Sequence, residues 1–243
     1  MEDIEKILEN AARFAAAKGL RKYTRFLDPA QAAFAERMAR EYRVRFSAFG
    51  GYADAERVVG CFHPWDDEVD VFPVCCLSSA YSSRFASISH RDLLGAFMAL
   101  GLTRACIGDM IIAKQQVFIF AVEETASFIA QSMTSAGKVS LDFQILDEIP
   151  PMPDPVGSEF TAVISSLRLD AVLAAAYHLS RSAAADQIRA GQVKLNHLPC
   201  DRVDTQLEEG ALLSLRGKGR VRLQTVGGMT KKQRICVTFF RYE

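Results

Sequence analysis

Long apolar runs, paired cysteines and an excess of either charge are what this sequence lacks. No stretch approaches the roughly 18 consecutive apolar residues that a bilayer-crossing helix requires. The opening "MEDIEKILEN" is acidic and amphipathic, whereas a secretory signal starts basic. The expectation is a cytoplasmic protein without membrane insertion, monomeric when free. The six cysteines, Cys61, Cys75, Cys76, Cys106, Cys200 and Cys236, form no Cys-x-x-Cys pair. "CFH" at 61–63 is too tight for a zinc-finger pair, so neither metal nor cofactor is expected. The thiols read as small apolar side chains in a reducing compartment.

Catalytic sets are missing too. The four histidines, among them His63, His178 and His197, have no arranged serine or acid beside them in sequence. "HRDLLGAF" echoes a kinase catalytic loop, but Phe97 stands where asparagine should ligate metal and no glycine-rich loop precedes it.

The net charge is zero over 243 residues, yet the charge is segregated. Residues 165–243 carry 13 Lys and Arg against 7 Asp and Glu, and residues 1–164 carry 16 against 22. A basic C-terminal part joined to an acidic remainder is the pattern of a polyanion-binding module attached to something else.

What is present reads as an α+β protein. Residues 2–18 form an amphipathic helix with Gly19 after its end, and Asp28-Pro29 opens a second helix reaching about Tyr42. "RVRFSAFGGY" and "ERVVGCFHP" read as a hairpin around Gly50-Gly51. Residues 1–67 are thus expected to be helices with a hairpin.

Residues 68–149 follow the order β-α-β-β-α-β, the ferredoxin-like (RRM-like) plan. "VDVFPVCCLS" is a strand, Ser89 caps a helix ending at Gly101, and "DMIIA" and "QVFIFAV" pair across Lys114-Gln115. "EETASFIAQSMTSAG" is a helix ending at Gly137, and "KVSLDFQIL" is a last strand. Phe118 and Phe120 share one face of their strand, which admits either base stacking or core packing. The RNA-recognition signature of that strand is missing from "KQQVFIFAV". Residues 150–158, "PPMPDPVGS", form a proline-rich linker, and 159–243 a small α-plus-β module.

In that module Leu169, Val172, Leu173 and Ala176 make a helical apolar stripe. Ser180 caps a second helix from about Arg181 to Ala190, stopped by Gly191. Ser180, Arg181 and Ser182 sit at a helix start, where unpaired amides and the positive dipole end favour phosphate. Arg168, Lys194, Arg216, Lys218 and Arg220 extend this into a basic surface, and the glycines of "RGKGR" allow close backbone approach. Arg168 and Arg181 are expected on the polar side, so removing both should leave the fold intact. Secondary RNA contacts are offered by Arg57, by His90 and Arg91 at a helix start, by Arg104 near a turn, and by Lys231, Lys232 and Arg234 in a basic hairpin tip.

"SSLRLDAVL", "LSRSAAADQIRAGQVKLN" and "GALLSLRGKGR" together resemble an S-four RNA-binding domain over about sixty residues, 165–223. The resemblance implies a module that holds structured RNA with its two helix ends and adjacent strand. It points to Arg168, Ser180, Arg181, Lys194 and Asn196. "RFLDPAQ" (25–31), "FGGYADAERVV" (49–59), "SHRDLLGAFMALGLTRACIGDM" (89–110) and "SSLRLDAV" (165–172), in that order, resemble the YlmH family over nearly the whole chain. "GGYADAERVV" departs from the pattern in lacking a second basic residue after Arg57.

The family resemblance implies a non-enzymatic factor on the large ribosomal subunit, contacting ribosomal RNA or tRNA. It points to rescue of obstructed subunits carrying peptidyl-tRNA. The rivals are a pseudouridine-synthase-like RNA-modifying enzyme carrying the same module, and a cell-division adaptor. For the enzyme, "LRLD" at 167–170 has suggestive letters but lies inside the module's first helix, and too little chain remains for a catalytic domain.

Overall fold

The first helix, α1 (Ile4–Lys18), buries Leu8, Ala11, Ala12 and Ala15, one stripe at the 3.6-residue period. In the computed structural model, which describes residues 4–82, 87–113, 115–230 and 233–242, that stripe packs on α2 (Pro29–Glu41). The second helix starts as its sequence demands. Asp28 accepts from the Gln31 amide while the Gln31 side chain accepts from the Asp28 amide, a capping box with proline at the first turn.

Between these helices runs a strand that the sequence reading passed over, β1 (Lys22–Leu27). It pairs with β3 (Val58–His63) of the expected hairpin, whose other strand is β2 (Arg45–Phe49), and makes it an antiparallel sheet of order β1-β3-β2. Neighbouring strand residues point to opposite faces, so Leu27 and Phe62 pack under α1 and α2 while Phe26 and Val59 join the core of the middle sheet.

The middle sheet contains β4 (Val74–Ala80), β5 (Ile107–Ile112), β6 (Gln116–Val122) and a short β9 (Gln144–Leu146), all antiparallel in the order β5-β6-β4-β9. Helix α3 (His90–Ala99) follows β4, and α4 (Glu123–Ser132) follows β6. This is the β-α-β-β-α-β order of a ferredoxin-like sheet. Ser89 caps α3 through the Asp92 amide, and Asp92 accepts from the Ser89 amide in return. Helix α4 stops at Ser132, short of Gly137. The residues beyond it form a two-residue hairpin, β7 (Ser135–Ala136) and β8 (Val139–Ser140), turning at Gly137 with φ +59°.

Phe118 and Phe120 are both buried. Tyr52 stacks on Phe120 at 5.1 Å between centroids, and a Cβ on Gly51 (φ +104°) would fall 2.2 Å from the Phe120 ring. The face that could have stacked bases is closed by the chain's own 50–52 loop, and core packing wins.

Two compact units result, Met1–Pro153 and Asp154–Glu243. The second opens with β10 (Gly157–Ile164), so the last residues of the proline-rich stretch already lie in a sheet. Its other strands are β11 (Val193–Leu195), β12 (Leu198–Pro199), β13 (Leu212–Leu215), β14 (Gly219–Met229) and β15 (Ile235–Tyr242). The antiparallel order is β10-β15-β14-β13-β11-β12. Helices α5 (Leu169–Ala176) and α6 (Arg181–Arg189) supply Leu169, Val172, Leu173, Ala184 and Ile188 to a core closed by Val221, Leu223, Val237 and Phe239. Among the described residues no helix is long and apolar enough to cross a membrane, and no group of three or more His, Cys, Asp or Glu is placed to hold a metal ion.

Candidate nucleic-acid interface

The two arginines expected to contact RNA meet on one carboxylate. Arg181, the first residue of α6, donates to Asp170 Oδ2 at 2.7 Å. Arg168, the residue capping α5, reaches the same group at 3.2 and 3.4 Å. Asp170 is only 7% exposed and also accepts from the Ala171 amide at 2.9 Å. Burial pushes its pKa up, but the hydrogen bonds and charges of Arg168 and Arg181 prevail and hold it below the ordinary aspartate value.

The guanidinium side chains themselves remain 38% and 53% exposed. Each guanidinium has five N–H donors, so donors are left for a phosphate. The expectation that both arginines could be removed without cost to the fold is corrected here: they are the partners of a buried charge.

Around this pair, Ser180 Oγ accepts from the Ala183 amide at 3.1 Å and lies 3.0 Å from the exposed Ser182 hydroxyl. The serine cap is therefore formed as expected, with the first amides of α6 ahead of it.

Asn196 does something different. With His197 it turns β11 into β12, both residues at positive φ (48° and 68°), the signature of a tight type I′ hairpin. Its side-chain oxygen accepts from the Leu212 amide at 2.8 Å, and its own amide donates to the Leu212 carbonyl at 2.8 Å.

Arg216 and Lys218 are exposed in the turn between β13 and β14, which Gly217 and Gly219 enter at φ +77° and +81°. Tyr177 braces that turn from below. Its hydroxyl lies 3.1 Å from the Leu213 carbonyl and 2.9 Å from the Gly219 carbonyl, and burial pushes its pKa up to about 12. Lys194 and Arg220 are exposed on the sheet itself.

The secondary candidates divide. Arg57 donates to three backbone carbonyls, Ile107, Phe26 and Arg104, each at 3.1 Å. The Asp109 carboxylate fastens the same loop, accepting from the Tyr52 hydroxyl and the Glu56 and Arg57 amides. Burial, then the neighbouring Arg104 charge, lowers the Arg57 pKa; Arg104 is lowered mainly by burial. Arg57 and Asp109 thus stitch the 50–57 loop to the middle sheet, with the Arg104 carbonyl as one of the acceptors. His90 and Arg91 are exposed in the first turn of α3, and Arg234 is exposed in the β14–β15 turn. Lys231 and Lys232 lie outside the described residues.

Sequence reasoning missed Asp170 as part of the site. The signal was available in "RLD": an acid in the first helical turn, two residues after one arginine and eleven before another.

Comparison with known proteins decides the family. A family model described as "Putative RNA-binding domain in YlmH" matches residues 68–148, and one described as "S4 domain" matches residues 167–213. "Ribosome-associated protein quality control protein P2" of Bacillus subtilis (strain 168) is 34% identical over 227 residues, covering 90% of this chain and 87% of that protein. The chain belongs to the YlmH family. A solved structure titled "Cell division protein ylmH from Streptococcus pneumoniae" shares the fold over 59% of this chain and 88% of that one, with TM-score 0.51 and 18% identity. In this YlmH-family chain the S4 match spans α5, α6, β11 and β12 and ends within β13, so it contains both arginines and Asp170.

Proposed function

We propose that this protein is a non-enzymatic, cytoplasmic RNA-binding factor that associates with the large ribosomal subunit. There it acts in the rescue of obstructed subunits carrying peptidyl-tRNA. The observation that carries the proposal is the pair of half-exposed guanidiniums, Arg168 and Arg181, held on Asp170 beside the amide-rich start of α6. Planar guanidiniums fixed at one end present their remaining donors to phosphate with little ordering left to lose, and the helix dipole adds to the attraction. Exposed Arg216 and Lys218 add positive charge in the turn between β13 and β14.

The ribosome enters through the relative, whose name places it in ribosome-associated quality control. The first unit contains the stretch matched by the YlmH RNA-binding model, but its acidic charge and the burial of Phe118 and Phe120 favour the second unit as the principal RNA contact. Crosslinking of the full chain to RNA in cells, followed by sequencing, tests the assignment. Reads are expected from large-subunit ribosomal RNA and from tRNA; reads dominated by messenger or small-subunit RNA would overturn it.

A further inference from the structure

The basic residues of the second unit do not form one surface. Antiparallel partners point to the same face of a sheet, and register therefore sorts them. Val221 pairs with Arg241. Arg241 faces the helices, donating to the Ala176 carbonyl at 2.8 Å and lying over Phe160 at 5.0 Å. Their neighbours Arg220 and Tyr242 must then face the other way, away from α5 and α6.

The same register builds two rows across that outer face. Lys194 is partnered by Ser214 and Ser214 by Arg220, and one step beyond the Val221–Arg241 pair Arg220 meets the Tyr242 ring. In the next row Leu212 is partnered by Arg222, Arg222 by Phe240, and Phe240 by Glu159. The aromatic and cationic groups touch. The Arg220 guanidinium lies over the Tyr242 ring at 5.3 Å, Arg222 Nε donates to the Tyr242 hydroxyl at 2.8 Å, and Phe240 meets Tyr242 edge to face at 5.0 Å. Lys194, Arg220 and Glu159 are exposed, and Arg222, Phe240 and Tyr242 are half-buried.

We propose that this outer face is a second RNA surface that holds unpaired nucleobases by stacking, on the opposite side of the sheet from the phosphate-binding helix start. Three cations against one acid favour a polyanion. Rings interleaved with guanidinium planes are what a single strand needs: flat groups for the bases and charge for the backbone. The site rests on the reading that the second unit binds RNA, and it adds the class of RNA taken there, a single-stranded segment beside a structured one. Thr161 and Thr238 continue the face beyond the aromatic rows, so the stacking groups are confined to one end of the sheet.

The test uses the full chain and three labelled probes: a ten-nucleotide oligoadenylate, an abasic phosphodiester of equal length and charge, and an RNA hairpin. The native protein should bind oligoadenylate about tenfold or more tightly than the abasic chain, the size expected of base–aromatic stacking. Tyr242→Ala should bring that ratio to about one, Tyr242→Phe should keep it, and hairpin binding should change less than about twofold in both. Tyr242→Leu retains the apolar contact with Phe240 and is the variant to read if the alanine change unfolds the sheet. A native protein without base preference, or a preference that survives in Tyr242→Leu, overturns the proposal. So does loss of ribosome association with base preference intact, which would assign the face to a protein. Absence of hairpin binding by the native protein contradicts the RNA-binding reading itself, which is a separate failure.

Discussion

Arg181 and Asp170, eleven residues apart in sequence, are joined by a 2.7 Å hydrogen bond that ties the first turn of α6 to the first turn of α5. Arg168 completes the arrangement from the other side of the carboxylate. One buried acid thus sets the direction of two guanidiniums that would otherwise swing freely, and couples the stability of the unit to its RNA-binding groups.

The coupling predicts an unequal pattern of mutant stabilities. Asp170→Ala leaves two partly exposed arginines that water can solvate, and should cost about 1–3 kcal/mol. Arg168→Ala with Arg181→Ala leaves a buried carboxylate without its partners, and should cost about 3–5 kcal/mol. Adding Asp170→Ala to that double variant should restore part of the loss. Urea unfolding of the four proteins measures this directly, and strictly additive losses would contradict the coupling.

Acid should act through the same group. The folded-state pKa of Asp170 is depressed, so its contribution is complete above the ordinary aspartate value of about 3.9 and is lost as pH falls through the lower folded value. The stability difference between the native protein and Asp170→Asn should therefore be constant from about pH 5 to 7 and shrink below about pH 4. A difference that grows on acidification contradicts the assignment.

In the first unit, the 50–57 loop should prove structural. Gly51→Ala would place a Cβ 2.2 Å from the Phe120 ring at a backbone angle that alanine resists, and should cost about 1–3 kcal/mol or more. Arg57→Ala removes three carbonyl partners and should cost about 1.5–3 kcal/mol. Neither should alter RNA affinity measured on the folded fraction. An Arg57→Ala protein that melts normally but loses RNA would place that guanidinium in the interface instead.

The elements with strong local signals were legible in the sequence. Caps at Asp28, Ser89 and Ser180 can be read residue by residue because capping is a contact within one turn. β1 was not legible: "KYTRFL" is six residues wedged between two helices, and only its pairing with β3, some thirty residues later, makes it a strand. β10 carried an alternating pattern, with Phe160, Ala162 and Ile164 turned inward, but it emerges from a proline-rich stretch that reads as linker. The register separating Lys194 and Arg220 from the helix start is likewise a long-range fact, and spacing along the chain places these residues together when the sheet sets them on another face.

Within the site, the helix start, its cap and the basic residues were evident as types at positions. The buried status of Asp170 was not, because it depends on how α5 and α6 meet. Arg57 looked like a free basic residue for the same reason: its three carbonyl partners lie on other segments.

The most direct test of the central claim is sedimentation of the full chain with separated ribosomal subunits at two salt concentrations. Binding through phosphate contacts releases counterions, so affinity should fall by orders of magnitude between about 50 and 200 mM salt. The account predicts that the protein travels with the large subunit at the lower concentration and is released at the higher. A protein that stays at the top of the gradient at low salt, or that travels with the small subunit, would contradict it.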